Sequence, residues 1–366
     1  MLQRFKPFIP LAIIAVLVIV YTLSGPSRLS LDLINTILIF ATFATAWNIA
    51  GGMTGLFSLG HGALFAIGAF GTTLLRLHLG IGTIPAMLIA ALLAVLVALF
   101  IGAISLRLRG HYFALATLGL AVIVYIALQN FSELTGGDEG ISIPKDTGLW
   151  NLIFQSKDEY VYVTLGLYVV TAAVVIVLSR SRLGYQMMAV KEDEVSARSM
   201  GIPAVRTKMF AVGLSGFFSA LAGAMFAQYT LYITPSNVGS VSVTWEPALM
   251  AIIGGMVGIF GPLIGATLIT LLEHYVIASV GSSIPGLSDL IYGALLIIVI
   301  LLLPNGLIGV IRNGFAWLKR AITRRPKPSA VIPTSAVETI HLEELGADAS
   351  SVEERAADAG TQEGQR

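Results

Sequence analysis

The chain has 366 residues, of which 56% are hydrophobic and only 12% are charged, and its formal net charge at pH 7 is +1. This composition excludes an ordinary soluble domain and predicts a polytopic membrane protein. Because the sequence contains no cysteine, it excludes disulfides and thiolate sites. The five histidines never pair at metal-ligand spacing, so we expect no metal and no cofactor. The basic residues lie in short loops between apolar runs, and we expect no nucleic-acid partner.

Apolar runs long enough to cross a bilayer recur along the chain, since roughly 20 helical residues cover about 30 Å of hydrocarbon. The first run follows Arg4 and Lys6 and is similar to a signal sequence. No A-x-A cleavage site follows it, so we expect an uncleaved anchor. The eighth run is too short to cross unaided. Together the runs predict an all-α helical bundle of about ten spans, some of them short or broken. They cover residues 8–23, 29–50, 55–79, 84–105, 111–131, 160–178, 210–232, 246–258, 261–278 and 287–305.

The distribution of charge predicts which side of the membrane each loop faces, because cytoplasmic loops are rich in lysine and arginine. With both termini in the cytoplasm, loop 107–110, segment 180–208 and the basic stretch 319–327 all fall inside, and the acid-leaning loop 132–159 falls outside. Residues 1–325 then form the transmembrane domain, and the proline-interrupted, acid-rich residues 326–366 are predicted to be a disordered cytoplasmic tail. Two isolated arginines oppose this rule, Arg28 and Arg76.

Segment 180–208 is a polar stretch between two long apolar runs, and its centre has helical periodicity over 185–200. Glu194 and Arg198 lie one turn apart in the favourable order. Gly201, followed by Ile202 and Pro203, predicts the end of the helix. One face carries Tyr185, Met188, Ala189, Val195 and Met200, with Glu192 intruding, and the other carries Gln186, Lys191, Asp193, Glu194 and Arg198.

Two interpretations of this amphipathic helix remain open. It could rest on the lipid headgroups, or its apolar face could enter a groove on a soluble partner.

A short glycine-rich sequence occurs twice, and five of its seven positions are identical. The copies are 51–57 (GGMTGLF) and 254–260 (GGMVGIF), each between two apolar runs. Paired glycine-interrupted segments indicate the substrate path of a transporter, because broken backbone can present polar groups to a ligand. Chance repetition in a chain with 38 glycines, or close helix packing, explains the pattern as well. The candidate path residues here are Gly51, Gly52, Gly55, Gly254 and Gly255.

Three further candidates for the path follow the first glycine-rich copy, and a fourth lies in the fifth predicted span. Ser58, Gly60 and His61 combine small polar groups with an intramembrane histidine, which is a functional hypothesis by default. A neutral histidine that is hydrogen-bonded to a neighbouring helix explains His61 equally well. Thr117 is a weaker candidate of the same kind. Glu246 is predicted to lie at the amino-terminal end of a span and to act as a simple cap.

Motifs for catalysis and nucleotide binding are missing from the sequence. It contains no GxxxxGK[ST] phosphate loop, no HExxH, no GxSxG and no paired carboxylates within the predicted spans. We therefore expect a transporter subunit rather than an enzyme. Its energy would come from a partner.

Four ordered motifs resemble one family. Residues 48–62 are similar to the signature of the permease subunits of branched-chain amino acid ABC transporters, specifically the longer of the two permeases. Runs 109–118, 184–202 and 248–262 strengthen the resemblance, which covers about residues 30–310. Ala197 and Gly201 match the spacing of the Glu-Ala-Ala-x-x-x-Gly motif of ABC permeases. The motif's glutamate does not match, since Val195 stands in its place and Glu194 lies one position earlier.

The resemblance implies an importer in the bacterial inner membrane. Its partners would be a second, shorter permease in a heterodimer, two cytoplasmic ATPase subunits and a periplasmic binding protein that delivers leucine, isoleucine or valine. A urea, short-amide or sugar permease of the same family stays open as an alternative, as does an ion-coupled secondary transporter. Segment 180–208 would be the coupling loop that docks the ATPase. Its candidate docking residues are Tyr185, Met188, Glu192, Glu194, Val195, Ala197, Arg198 and Gly201.

Overall fold

The computed structural model describes residues 8–280 except 109, 149, 257 and 259, together with residues 293, 306 and 307. All of these residues belong to one compact unit, Met1–Asn313. The described helices are α1 (Ile9–Leu23), α2 (Arg28–Thr54), α3 (His61–Leu79), α4 (Thr83–Ser105), α5 (His111–Asn130), α6 (Ser132–Thr135), α7 (Lys157–Ser179), α8 (Arg182–Glu192), α9 (Glu194–Ser199), α10 (Ala204–Thr230), α11 (Pro235–Gly239), α12 (Val241–Gly254) and α13 (Gly261–Val280). A 3-10 turn, Gly137–Glu139, and two short strands, β1 (Ile141–Ser142) and β2 (Tyr232–Ile233), complete them.

Within the described part of the chain, six helices are long and apolar enough to cross a membrane, namely α2, α3, α4, α5, α7 and α10. They confirm the expectation of an all-α polytopic bundle. Helix α1 has 15 residues and α12 has 14. The count of ten spans and the orientation of the termini stay predictions, and both 287–305 and 326–366 lie outside the described helices.

Three predicted span boundaries are wrong. Span 55–79 begins only at His61, because Gly55 has the left-handed conformation that ends α2 and residues 55–60 are not helical. Span 210–232 begins at Ala204, so α10 runs through the basic residues that hydropathy placed in a loop. Span 246–258 runs instead from Val241 to Gly254, because Pro247 is accommodated inside the helix.

Helix α10 packs at the centre of the bundle against α2, α3 and α4. Glycines let the backbones of α3 and α10 approach each other. A Cβ atom at Gly68 would lie 1.9 Å from the carbonyl oxygen of Ala220, and one at Gly223 would lie 2.0 Å from that of Phe65. Any larger side chain at either position would push the two helices apart.

Strands β1 and β2 join the two loops at the end of the bundle opposite α8 and α9. Ile141 pairs with Ile233 in antiparallel register, and Ser142 pairs with Tyr232. The loop after α5 is thereby fixed to the carboxyl end of α10.

Candidate functional site

Segment 180–208 contains two helices, so the prediction of one continuous helix over 185–200 is wrong. Asp193 separates α8 from α9 with extended backbone angles, φ −155° and ψ 114°. Its carboxylate accepts a hydrogen bond from the backbone N–H of Ser196 at 2.5 Å and caps α9. Hydrogen bonding to Ser196 also lowers the pKa of Asp193 below its usual value. The periodicity of the apolar residues did not predict this break, because it takes no account of aspartate as a residue that favours the start of a new helix.

The predicted apolar face of this segment does not face the bundle. Its larger members, Tyr185, Met188, Val195 and Met200, are all exposed. The residues that pack inward are Gly184, Met187, Val190 and Ala197. A Cβ atom at Gly184 would lie 2.0 Å from the carbonyl oxygen of Leu178, so glycine permits this close contact. Segment 180–208 thus has a buried face fixed to the bundle and a separate exposed face with large apolar side chains.

The predicted end of the helix at Gly201 is confirmed. Gly201 has φ +81°, the left-handed region that glycine tolerates. Its N–H donates to the carbonyl of Arg198 at 2.9 Å, and the N–H of Ile202 donates to the carbonyl of Ala197 at 3.0 Å. These two bonds form a Schellman motif that fixes the direction in which the chain enters α10.

Glu194 connects α9 to α10. Its carboxylate is paired with Arg198 at 2.5 Å, one turn along as predicted, and with Lys208 at 2.5 Å. The hydrogen bond from Lys208 lowers the pKa of Glu194 below its usual value, and Arg198 adds to the effect. Because Lys208 belongs to the first turns of α10, the long central helix is connected to the polar segment by an ion pair.

A polar cleft of about 920 Å³ lies beside α8 and α9. Its walls come from the first residues of the non-helical stretch between α2 and α3 (break 55–60), from the loop between α4 and α5, and from residues 190–195. Gly55 and Lys191 are neighbours in its lining, since a Cβ atom added at Gly55 would lie 3.3 Å from Lys191 Cγ. The charged residues and the histidine that line it are Arg107, His111, Lys191, Glu192, Asp193, Glu194, Arg198 and Lys208.

Break 55–60 between α2 and α3 is held by side chains from two helices. The indole Nε1 of Trp47 in α2 donates to the carbonyl of Ser58 at 2.7 Å. The backbone N–H of Leu59 donates to Thr117 Oγ1 in α5 at 3.0 Å. A Cβ atom at Gly60 would lie 3.2 Å from the carbonyl oxygen of Thr117. Non-helical backbone inside a membrane bundle needs such partners, and here Trp47 and Thr117 provide them.

His61 begins α3 and is buried, and its Nε2 is hydrogen-bonded to Ser215 Oγ in α10. The adjacent Gly62 lies against Thr244 of α12, whose Oγ1 would be 2.2 Å from an added Cβ atom. This geometry is the one that the packing alternative predicts for His61.

The second glycine-rich copy also interrupts two helices, because α12 ends at Gly254 and α13 begins at Gly261. Both copies therefore lie where one helix ends and the next has not yet begun. A Cβ atom at Gly254 would lie 1.7 Å from the carbonyl oxygen of Gly261, so close packing of α12 on α13 explains this glycine. Gly55 is exposed on the cleft, while the other candidates for the path are buried: Gly51, Gly52, Ser58, Gly60, His61, Thr117, Gly254 and Gly255.

The predicted capping role of Glu246 is wrong. Helix α12 begins at Val241 after Ser240, so Glu246 lies in its second turn. Its Oε2 atom is buried and has no hydrogen-bond partner in the described part of the chain. Hydropathy misplaced the start of α12 and therefore made Glu246 appear terminal.

A polar network at the opposite end of the bundle was not predicted from the sequence. Asp32 in α2 accepts hydrogen bonds from Lys157 Nζ in α7 and from the hydroxyl of Tyr229 in α10. Asn35 in α2 donates to the backbone carbonyl of Lys157 at 3.2 Å and accepts from Thr164 at 3.0 Å. These contacts join residues more than 120 positions apart, so no local pattern could have indicated them.

A family described as a branched-chain amino acid transport system permease component matches residues 29–300. The chain belongs to this family. Family membership makes the chain a permease component of a transport system, and its apolar helices make it a multi-pass membrane protein.

Curated relatives agree with this membership. The high-affinity branched-chain amino acid transport permease protein LivM of Escherichia coli strain K12 is 31% identical, covering 78% of this chain and 71% of its own. LivH of Salmonella typhimurium is 25% identical, covering 74% and 91%. A probable LivM of Methanocaldococcus jannaschii is 22% identical, covering 76% and 94%. The solved structure of PsaBC from Streptococcus pneumoniae, 14% identical, covers 77% and 94% at a TM-score of 0.42, which is too low to assign a shared fold.

Proposed function

We propose that this chain is a transmembrane permease subunit of an ATP-driven ABC importer and forms part of the path for leucine, isoleucine and valine. The observation that carries the proposal is membership of the permease family over residues 29–300. The printed names of the curated relatives support the choice of substrate. A periplasmic binding protein delivers the amino acid, and the chain resides in the bacterial inner membrane.

The partners of this chain are a second permease subunit and two cytoplasmic ATPase subunits. Relatives named LivM and LivH both match the chain, which supports a pair of related permeases. The exposed residues Tyr185, Met188, Val195 and Met200 give the ATPase an apolar surface, and Glu192, Glu194 and Arg198 surround it with charge. A short helix that presents large apolar side chains suits insertion into a groove on a soluble partner.

Two contacts transmit movement from the docked ATPase to the spans. The ion pair between Glu194 and Lys208 connects α9 to α10, and the contact between Lys191 and Gly55 connects α8 to break 55–60. Thr117 then links the break to α5. A displacement of α8 and α9 by closure of the ATPase dimer would thus reach α2, α5 and α10 together. Packed helices respond to such a shift by switching between discrete arrangements.

The orientation follows from the same cleft. Its walls include the carboxyl ends of α2 and α4 and the polar segment 180–208, so these elements share one side of the membrane. The basic residues on that side support a cytoplasmic location for it. Residues 1–325 form the permease domain in this proposal, and 326–366 form its cytoplasmic tail.

The test is uptake of labelled leucine, isoleucine and valine by proteoliposomes that contain this chain with its partner subunits and binding protein. ATP-dependent uptake of all three, with urea and sugars excluded, is the expected result. A matched preparation without the ATPase serves as the control. If uptake persists there and follows an ion gradient, the chain is a secondary transporter and the proposal is wrong.

A further inference from the structure

Arg76 is a nearly buried cation at the end of the bundle opposite segment 180–208. It lies in the last turn of α3, where the helix dipole favours positive charge, and only 8% of its surface is exposed. In the proposed orientation it lies towards the outside, against the usual placement of arginine. A charge retained at the edge of the membrane core against this preference marks a functional site by default.

The partners of Arg76 neutralise its charge poorly. Nη1 donates to Gln228 Oε1 at 3.0 Å, and Nη2 donates to the backbone carbonyl of Pro144 at 3.3 Å. The carboxylate partner, Asp146, is 3.5 Å away, and 71% of its side chain is exposed. In the described part of the chain the counter-ion of this buried cation is therefore a solvent-facing loop residue at the limit of hydrogen-bond length.

Gln228 places an unused donor beside the guanidinium. The side chain of Gln228 is fully buried in α10. A guanidinium only donates, so the amide oxygen must face Arg76 and the amide nitrogen must be the other atom. That nitrogen, Nε2, has no hydrogen-bond partner among the described residues. A buried cation and a buried, unpaired amide donor thus lie side by side.

The backbone around this pair is fixed by α7. The hydroxyl of Tyr160 donates to the backbone carbonyl of Gln228 at 3.2 Å and accepts from the backbone N–H of Phe154 at 3.3 Å. The end of α10 is thereby held in place independently of Asp146. In contrast, Asp146 lies in the loop that follows β1, and 71% of its side chain is exposed.

We propose that Arg76 and Gln228 form a subsite for the carboxylate of the transported amino acid, and that Asp146 occupies this subsite until substrate displaces it. One carboxylate oxygen takes the place of Asp146 on the guanidinium, and the other accepts from Gln228 Nε2. The incoming carboxylate thus satisfies a donor that the side chain of Asp146 leaves unpaired. The inference rests on the proposed function, because it requires a substrate that carries a carboxylate.

A purely structural role makes a different prediction. If Arg76 only fixes the loop to α10, Arg76→Gln lowers stability together with uptake because it also breaks the bonds to Gln228 and Pro144, whereas Asp146→Asn leaves uptake unchanged or lower. If Asp146 competes with substrate, the two removals have opposite effects. Loss of Arg76 removes the subsite, whereas loss of the Asp146 charge removes the competitor.

The experiment measures maximal leucine uptake by the complete transporter in proteoliposomes with saturating binding protein. Arg76→Gln should lower the rate by about tenfold or more, as expected for loss of a charge-assisted hydrogen bond. Arg76→Lys should retain part of the rate, and Asp146→Asn should exceed the wild type. Two matched controls remove exposed charges predicted to face the same side, Arg28→Gln and Asp138→Asn, and both should match the wild type.

Every outcome decides between the two roles. A rate in Asp146→Asn that does not exceed the wild type, or no loss in Arg76→Gln, overturns the subsite while leaving leucine transport intact. Wild-type transport of urea in place of leucine overturns the substrate proposal and the subsite together. Should Arg76→Gln fail to assemble, the direction of the Asp146→Asn effect decides, since an equal or lower rate contradicts competition and a higher rate supports it.

Discussion

Gly55 and Lys191 are neighbours in the lining of the polar cleft, so that a Cβ atom added at Gly55 would lie 3.3 Å from Lys191 Cγ. Gly55 ends α2, and Lys191 lies in the last turn of α8, so the two residues bring segment 180–208 close to the break between α2 and α3. The sequence indicated both regions separately. It gave no sign that they lie close together.

Gly55→Ala tests whether this contact transmits movement. The substitution places a Cβ atom at φ +72° and forces Lys191 to move. Gly25→Ala is the matched control, because Gly25 also has φ +72° and has no atom within 4 Å of an added Cβ atom. Both variants should lose about 1–2 kcal/mol of stability from the left-handed conformation. Only Gly55→Ala should slow leucine uptake severalfold, measured as initial rates in proteoliposomes; equal rates in the two variants contradict transmission through Gly55.

The ion pair between Glu194 and Lys208 provides a second test of coupling. Glu194→Lys should repel both Lys208 and Arg198, detach α9 from α10 and leave ATP hydrolysis running without matching uptake. The double variant Glu194→Lys with Lys208→Glu restores one opposite-charge pair and should recover part of the coupling. The ratio of ATP hydrolysed to leucine transported measures the effect. If the double variant is no better than the single one, the ion pair does not carry the movement.

The lowered pKa of Glu194 predicts a pH dependence of this contact. A carboxyl group whose pKa is lower in the folded state stabilises the fold above its unfolded pKa, near 4.5, and this contribution is lost as pH falls through the folded value. Because the group is partly exposed, the contribution is a fraction of a kcal/mol. Hydrogen exchange of the α9 amides, corrected for intrinsic rates, should rise below about pH 4.5 in the wild type. Glu194→Gln should show a smaller rise, because only the Asp193 cap of α9 is still lost on protonation.

Features that depend on neighbouring residues could be predicted from the sequence, whereas contacts between distant residues could not. Hydropathy predicted the six long spans, and local turn chemistry predicted Gly201 as a helix end. The separation of α8 from α9 at Asp193 was not predicted, because aspartate can lie on the polar face of a helix and can also cap the start of a new one. Glu246 was misassigned because hydropathy placed the start of its span at 246, five residues after the helix begins. The contacts of His61 with Ser215 and of Asp32 with Lys157 connect distant positions, so they depend on the fold.

Substitutions of Gly201 test whether segment 180–208 needs the left-handed backbone conformation at this position or the absence of a side chain. Gly201→Pro removes the N–H that bonds to Arg198 and imposes a negative φ where the chain has φ +81°. Gly201→Asn keeps the N–H, and asparagine tolerates the left-handed region better than other non-glycine residues. The proline variant should lose leucine uptake while remaining in the membrane, and the asparagine variant should retain most of it. Loss in both variants would indicate that an exposed Cβ atom obstructs the ATPase.

Substitutions of His61 distinguish two roles for the residues after the first glycine-rich copy. These residues either pack helices together or line the substrate path. Its bond to Ser215 joins α3 to α10, so His61→Ala and Ser215→Ala should each lower the stability of the purified complex by about 1–3 kcal/mol through an unpaired buried group. His61→Gln can still reach a hydroxyl and should be less damaging than alanine. Thermal unfolding in detergent gives the stability, and uptake is measured on the same preparations. Lost uptake at wild-type stability in His61→Ala, with Ser215→Ala unaffected, would place the imidazole in the substrate path instead.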